Sequence, residues 1–89
     1  ANLRDHDGIS FEEATTVFRY PRLQGPVFDA ENSEDDEEDR WRVRGESVRG
    51  RPLVVIYCER GSKKRIISAW KLTGRPLRHY HEAEEQSAD

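Results

Sequence analysis

Apolar residues recur along this chain with two different periods, and the change of period marks its organisation. Phe11, Ala14, Val17 and Phe18 follow one another at helical spacing and form a single stripe. Ser10 precedes them with Glu13 three residues on, a capping box in which the Ser hydroxyl caps the helix and Glu13 reaches back. Pro21 ends that helix. From Arg40 to Ser47 the order Arg/Trp/Arg/Val/Arg has the period of two expected of a strand with unlike faces. Leu53-Val-Val-Ile-Tyr-Cys is a continuous β-rich run suited to a central strand, and Lys64-Arg-Ile-Ile-Ser-Ala-Trp supplies a third. Arg49-Gly50 and Gly61-Ser62 fall between them as hairpin turns. Val27 and Phe28 add a short edge strand to an otherwise irregular stretch. From Thr73 a short helix begins, with Pro76 in its first turn and Leu77, Tyr80 and Ala83 facing inward.

These elements predict an α+β fold in one domain over residues 1–89. It comprises a helical part at 1–20, an acidic loop at 22–39, a β-sheet at 40–71, a C-terminal helix at 73–83 and an acidic tail at 84–89. The sheet is expected to be small and antiparallel, three to four strands with helices packed on one side. A two-residue turn at Arg49-Gly50 sets Ser47 opposite Pro52, Arg44 opposite Val55, Arg42 opposite Tyr57 and Arg40 opposite Glu59. Opposed residues share a face. One face then carries Trp41, Val43, Val54, Ile56 and Cys58, joined by Ile67 and Ala69 if the second hairpin turns tightly. The other carries Arg40, Arg42 and Arg44 beside Tyr57 and Glu59, joined by Lys64, Ser68 and Trp70. A one-residue slip inverts this assignment. Basic residues interleaved with aromatics suit single-stranded nucleic acid. The structural alternative is a face covered by helices, with arginine stems packed beneath them.

Composition sharpens the picture. Of 89 residues 34% are hydrophobic and 37% charged, and the mean hydropathy is −1.01. Such a chain builds a thin core, and a partner is expected to complete it. The formal net charge of −3 conceals a sorting by sign. Residues 29–39 hold eight acids and no base, whereas residues 40–81 hold twelve Lys/Arg against Glu46 and Glu59 alone. That second segment is a basic module suited to a polyanion, or to a solvated sheet face neutralised by the acidic loop. No apolar run approaches the roughly 18 residues of a membrane span, and no secretory leader is legible. The single cysteine, Cys58, forms no internal disulfide, so a reducing cytoplasm is expected. The chain begins at Ala1 and holds no methionine, which leads us to expect a natural start that is missing or processed.

The stretch Asn2-Leu-Arg-Asp-His-Asp-Gly-Ile-Ser-Phe-Glu-Glu-Ala-Thr-Thr-Val-Phe resembles the opening of the BrnT family of toxins. Glu38-Asp-Arg-Trp, Gly45-Glu-Ser and Gly50-Arg-Pro-Leu-Val-Val-Ile-Tyr are similar to its middle. Glu59-Arg60, Arg65-Ile-Ile-Ser-Ala and a terminal helix with Tyr80 are similar to its end. The resemblance spans residues 2–82. It implies a RelE-like α+β fold and a ribonuclease toxin of a type II toxin–antitoxin module, neutralised by a BrnA-like antitoxin. It also implies contact with operator DNA only through the antitoxin complex, with no membrane partner. Two departures stand out. The family's opening strand and Lys-bearing turn have no counterpart before Asn2, and Trp70 stands where the family has arginine. The opening motif also carries Asp5 for lysine, with Asp7 inserted after His6.

Metal-independent RNA cleavage needs a base for the 2′-hydroxyl, cations for the pentavalent phosphate and an acid for the leaving oxygen. Arg51 and Arg65 match family positions and are the first candidates, because a guanidinium fork binds two phosphate oxygens. Arg40, Arg42, Arg44, Lys64, Trp70 and Lys71 are candidates for RNA binding. Glu59 or His6 is the candidate base, although Glu59 also suits a cross-strand ion pair and His6 a helix cap. Tyr80 is a candidate proton donor or a packing residue. No cofactor and no metal is expected: His79, His81 and Cys58 make a poor zinc set, and Cys58 suits a core strand. A non-catalytic module that binds a protein partner or nucleic acid is the alternative class. A DNA-binding regulator is a third, and lacks a helix-turn-helix.

Overall fold

Ser10 caps the first helix as its position requires: its side-chain oxygen accepts from the Glu13 backbone N–H at 3.0 Å. This is a computed structural model, and it describes residues 8–30 and 39–87. Helix α1 (Phe11–Thr16) tightens into a 3-10 turn (Val17–Arg19). Four strands follow, β1 (Gln24–Phe28), β2 (Trp41–Glu46), β3 (Pro52–Arg60) and β4 (Lys63–Lys71), and then helix α2 (Gly74–Ser87). Each strand pairs antiparallel with the next, in the order β1-β2-β3-β4. The α+β class and the antiparallel sheet therefore stand, with β1 as the fourth strand. Helix α2 runs past the boundary expected at residue 83.

The register of β2 against β3 differs by one residue from the expected one. Arg44 opposes Val54, Arg42 opposes Ile56 and Trp41 opposes Tyr57. The connection is not a two-residue turn. Ser47 accepts from the Gly50 N–H at 2.8 Å and donates its own N–H to Arg51 at 2.9 Å, while Gly50 takes a φ of 77°. A turn closed by a left-handed glycine adds one residue to the loop. Because side chains alternate, that residue moves the arginines away from Tyr57 and Glu59 and onto the side of Val54 and Ile56. The Gly61-Ser62 turn is tight, with Arg60 opposite Lys63 and Tyr57 opposite Ile66. A bulge then intervenes, so that Ser68 opposes Ile56 and Trp70 opposes Val54.

Both faces of the sheet are consequently apolar, and the helices are divided between them rather than packed on one side. On the first face Val43, Leu53, Val55, Tyr57, Ile66 and Ala69 pack with Ile9, Ala14 and Val17 from the amino-terminal segment. Phe18 meets Tyr57 edge-on at 5.0 Å. Phe11, expected in the helix stripe, is 45% exposed. On the second face Val54 and Ile56 pack with Leu72 and Tyr80, joined by the half-buried Ile67 and Leu77. Helix α2 thus covers one end of the second face.

Candidate functional site

Strand alternation sorts the candidate residues between the two faces. Directly opposed rows run Gln24–Arg44–Val54–Trp70 and Val27–Arg42–Ile56–Ser68 across the second face. Arg65, opposite Cys58, lies on the same face one row further out. Arg42, Arg44 and Trp70 thereby meet at a groove of about 400 Å³, completed by Gln24, Gly25, Val27, Val54, Leu72 and Pro76. Arg42 is exposed and has no hydrogen bond or ion pair among the described residues. Arg44 is held: it donates to Gln24 Oε1 at 2.6 Å, and its guanidinium carbon stands 6.0 Å from the centre of the Tyr80 ring. Gln24 is fixed in turn by donating to the Tyr80 carbonyl at 3.1 Å. The groove therefore joins an apolar floor to one free and one anchored guanidinium beside a half-exposed indole.

Lys64 and Lys71 are not part of this arrangement. Lys71 opposes Leu53 on the first face, and Lys64 sits 5.6 Å from the Phe18 ring centre and 6.0 Å from that of Tyr57. Glu59 shares that side at the exposed hairpin end, 3.9 Å from Lys64. It makes the cross-strand pair open to it from its position, with Lys64 rather than Arg40. Arg40 has the parity of Arg42, just before β2 begins, and its carbonyl accepts from the Asp29 N–H at 2.8 Å. His6 and most of the acid run lie outside the described residues.

Two candidates are engaged within the fold. Arg51 grips Glu13 with two donors, Nε to Oε2 at 2.8 Å and a second, closer contact to Oε1. The Glu13 side chain is 3% exposed and also accepts from Ser47 Oγ at 2.7 Å. Hydrogen bonding from Arg51 holds its carboxyl below the usual 4.5, against the opposing effect of burial. Glu13 therefore does not reach back to its own helix start: it ties α1 to the β2–β3 loop. Tyr80 is fully buried and donates to Glu84 Oε2 at 3.2 Å. Burial, and the neighbouring Tyr20 and Glu84, push its hydroxyl pKa well up. Tyr20, whose hydroxyl also bonds Glu84, is raised in the same way, chiefly by burial.

Gln24 and Glu13 are the two site residues that sequence reasoning missed. Gln24 sits in what reads as an irregular acidic loop, and its role exists only through pairing with Arg44 across a bulge. Glu13 satisfies a capping pattern on paper, and only the distant Arg51 redirects it. Among the described residues no cluster of His, Cys, Asp or Glu is placed to hold a metal ion, and no helix is long and apolar enough to cross a membrane.

The family model for "Ribonuclease toxin, BrnT, of type II toxin-antitoxin system" matches residues 1–75. No curated protein and no solved structure matches the chain. The match extends from the amino-terminal segment through all four strands to the first residues of α2, and so contains nearly every residue lining the groove. The chain belongs to the BrnT family, ribonuclease toxins of type II toxin–antitoxin systems, with RNA as the family's target and a cognate antitoxin as its partner.

Proposed function

We propose that this chain cleaves RNA endonucleolytically and without a metal ion, as the growth-inhibiting toxin of a cytoplasmic module that a BrnA-like antitoxin neutralises. The observation that carries this reading is the departure of Arg42, Arg44 and Arg65 from one sheet face, the first two lining a groove bordered by Trp70. The charges offered there are guanidinium forks, which bind phosphate oxygens in pairs. In the reaction the ribose 2′-oxygen attacks the adjacent phosphorus and the bond to the 5′-oxygen breaks. The 2′-hydroxyl gives up its proton to the acceptor and the departing 5′-oxygen takes one from solvent water, so the products are a 2′,3′-cyclic phosphate and a 5′-hydroxyl. Arg65 and Arg42 stabilise the charge that develops on the phosphate, Arg40 extends the track, and Arg44 and Trp70 border the groove where a base binds and stacks.

His6 is the candidate for the proton acceptor, while Glu59, paired with Lys64, and Lys71 lie on the opposite face of the sheet, away from the track. Arg51 acts by holding Glu13, and Tyr80 by holding α2 against the sheet. The antitoxin covers the same face, so RNA and antitoxin exclude one another, and operator DNA is contacted only through their complex.

The test is cleavage of a labelled structured RNA by the purified chain in excess EDTA, beside a folded Arg42→Ala/Arg65→Ala variant. We expect cleavage to persist in EDTA, to leave cyclic phosphate ends, and to fall by about 10²-fold or more in the variant. A well-folded chain that cleaves nothing overturns the reading in favour of a non-catalytic binding module.

A further inference from the structure

We infer that the groove between β1, β4 and α2 is a subsite for a single guanine base, with Arg44 as the residue that reads it and Trp70 as its stacking platform. The inference rests on the RNA-cleaving reading and adds to it a base preference. Its volume of about 400 Å³ falls within the ~300–1,000 Å³ typical of small-ligand sites. Arg44 and Trp70 flank Val54 in one cross-strand row, two strand spacings or roughly 10 Å apart. Val54 with Leu72 and Pro76 gives an apolar floor, and Trp70, 37% exposed as a residue, offers an aromatic side chain for stacking.

The polar lining then selects among bases. Gln24 offers the one side-chain carbonyl, and Arg44 already donates to it. Its amide nitrogen is turned to the Tyr80 carbonyl. The remaining side-chain polar groups, on Arg42, Arg44 and Trp70, are donors only. A base whose exposed edge carries two acceptors fits such a lining, and the guanine O6/N7 edge matches an arginine fork in both position and spacing. Adenine presents an amino donor on the same edge, and the one side-chain acceptor in the lining, Gln24 Oε1, already takes a bond from Arg44. The two arginines divide the work. Arg44, pinned by Gln24 and stationed over the Tyr80 ring, is pre-organised for reading an edge, whereas the exposed Arg42 follows the phosphate.

The test titrates 5′-GMP, 5′-AMP, 5′-CMP and 5′-UMP into the ¹⁵N-labelled chain while the two indole N–H resonances are followed. Trp70→Phe assigns the Trp70 signal, and Trp41 serves as the internal control. We expect GMP to shift the Trp70 resonance alone, with at least about tenfold tighter binding than AMP. Arg44→Lys keeps the charge and removes the fork, so the GMP/AMP ratio falls to within about twofold, with the larger loss on GMP. Gln24→Ala lowers the ratio in the same direction by releasing Arg44. A silent Trp70 signal at millimolar GMP, equal binding of GMP and AMP, or an Arg44→Lys variant that retains the preference overturns the inference. RNA cleavage measured on the same samples separates the two ideas. Cleavage with a silent Trp70 leaves the ribonuclease standing without its guanine subsite, and GMP binding without cleavage does the reverse.

Discussion

The two faces of one sheet treat their charged residues in opposite ways. On the first face α1 closes over Val43, Leu53 and Val55, and the ion pair at its margin, Glu13 with Arg51, is held by Ser47 inside the fold. On the second face α2 covers Tyr80 and Leu72, then leaves Arg42 exposed and Arg44 half-buried beside an open groove. The strands contributing to both are the same, and their side chains alternate. The difference comes from what packs on each side. A guanidinium that meets a buried carboxylate becomes structural, and one that meets an amide and an aromatic ring keeps most of its donors for a ligand. Counting arginines by strand does not separate these roles; their partners do.

The sharpest way to break this contrast is Arg51→Ala, which leaves the buried Glu13 carboxylate with only the Ser47 hydroxyl and the exposed Arg49 at 4.0 Å. The expected loss is about 3–5 kcal/mol, a large share of the ~5–15 kcal/mol available to a small domain, read from urea denaturation. A loss under about 1 kcal/mol would mean that the pair is not structural. The same pair sets a pH response. Because the folded Glu13 carboxyl lies below its usual 4.5, its contribution is fully present above that value and is lost as pH falls through the folded-state one. Urea midpoints of the wild type should decline in that acid range, and Arg51→Ala should lack this part of the decline.

Adjacent residues of β3 provide the next comparison. Val55 is fully buried under α1, and Val54 lies on the groove floor at 4% exposure. Val55→Ala should cost about 2 kcal/mol or more, through lost transfer energy and a cavity the core cannot fill. Val54→Ala, beside an open groove, should cost less, and equal costs would mean that the two faces are equally closed. Tyr80→Phe removes one buried hydroxyl from Glu84 and should cost about 1 kcal/mol. Amide exchange should then quicken in α2 and not in α1. The smallest stability effect belongs to Arg42→Ala, within about 0.5 kcal/mol. Its RNA affinity should fall nonetheless, with a log–log salt slope shallower by about one.

Much of the architecture was legible in the chain. Ser10 marks a helix start, alternation at 41–46 marks a strand, and Gly61-Ser62 marks a tight turn. What failed was parity. One left-handed glycine at position 50 lengthens a loop by a residue, and a bulge in β4 does the same between Ile66 and Ser68. Neither changes the pattern of apolar residues enough to be noticed, yet each decides which side a charge faces. The grouping of Arg42, Arg44 and Trp70 emerged because Arg42 and Arg44 keep a common parity under any slip, while the bulge carries Trp70 to join them. The same bulge puts Lys71 on the other face, whereas Lys64, before the bulge, stays opposite Glu59. The engagement of Glu13 by Arg51, across 38 residues, has no local signature at all.

Gly25 carries a consequence for how this groove can diverge. A Cβ at that position would stand 2.7 Å from the Arg42 carbonyl oxygen, and its φ of 106° is one that residues with side chains rarely adopt. The β1 wall is thus closed to variation at Gly25, since any larger residue would pry the edge strand from β2. Positions 70 and 76 face the groove without that constraint, so descendants of this sequence can retune what the groove accepts from one side only. An arginine in place of Trp70 would exchange an aromatic surface for a third charge while the opposite wall stays fixed.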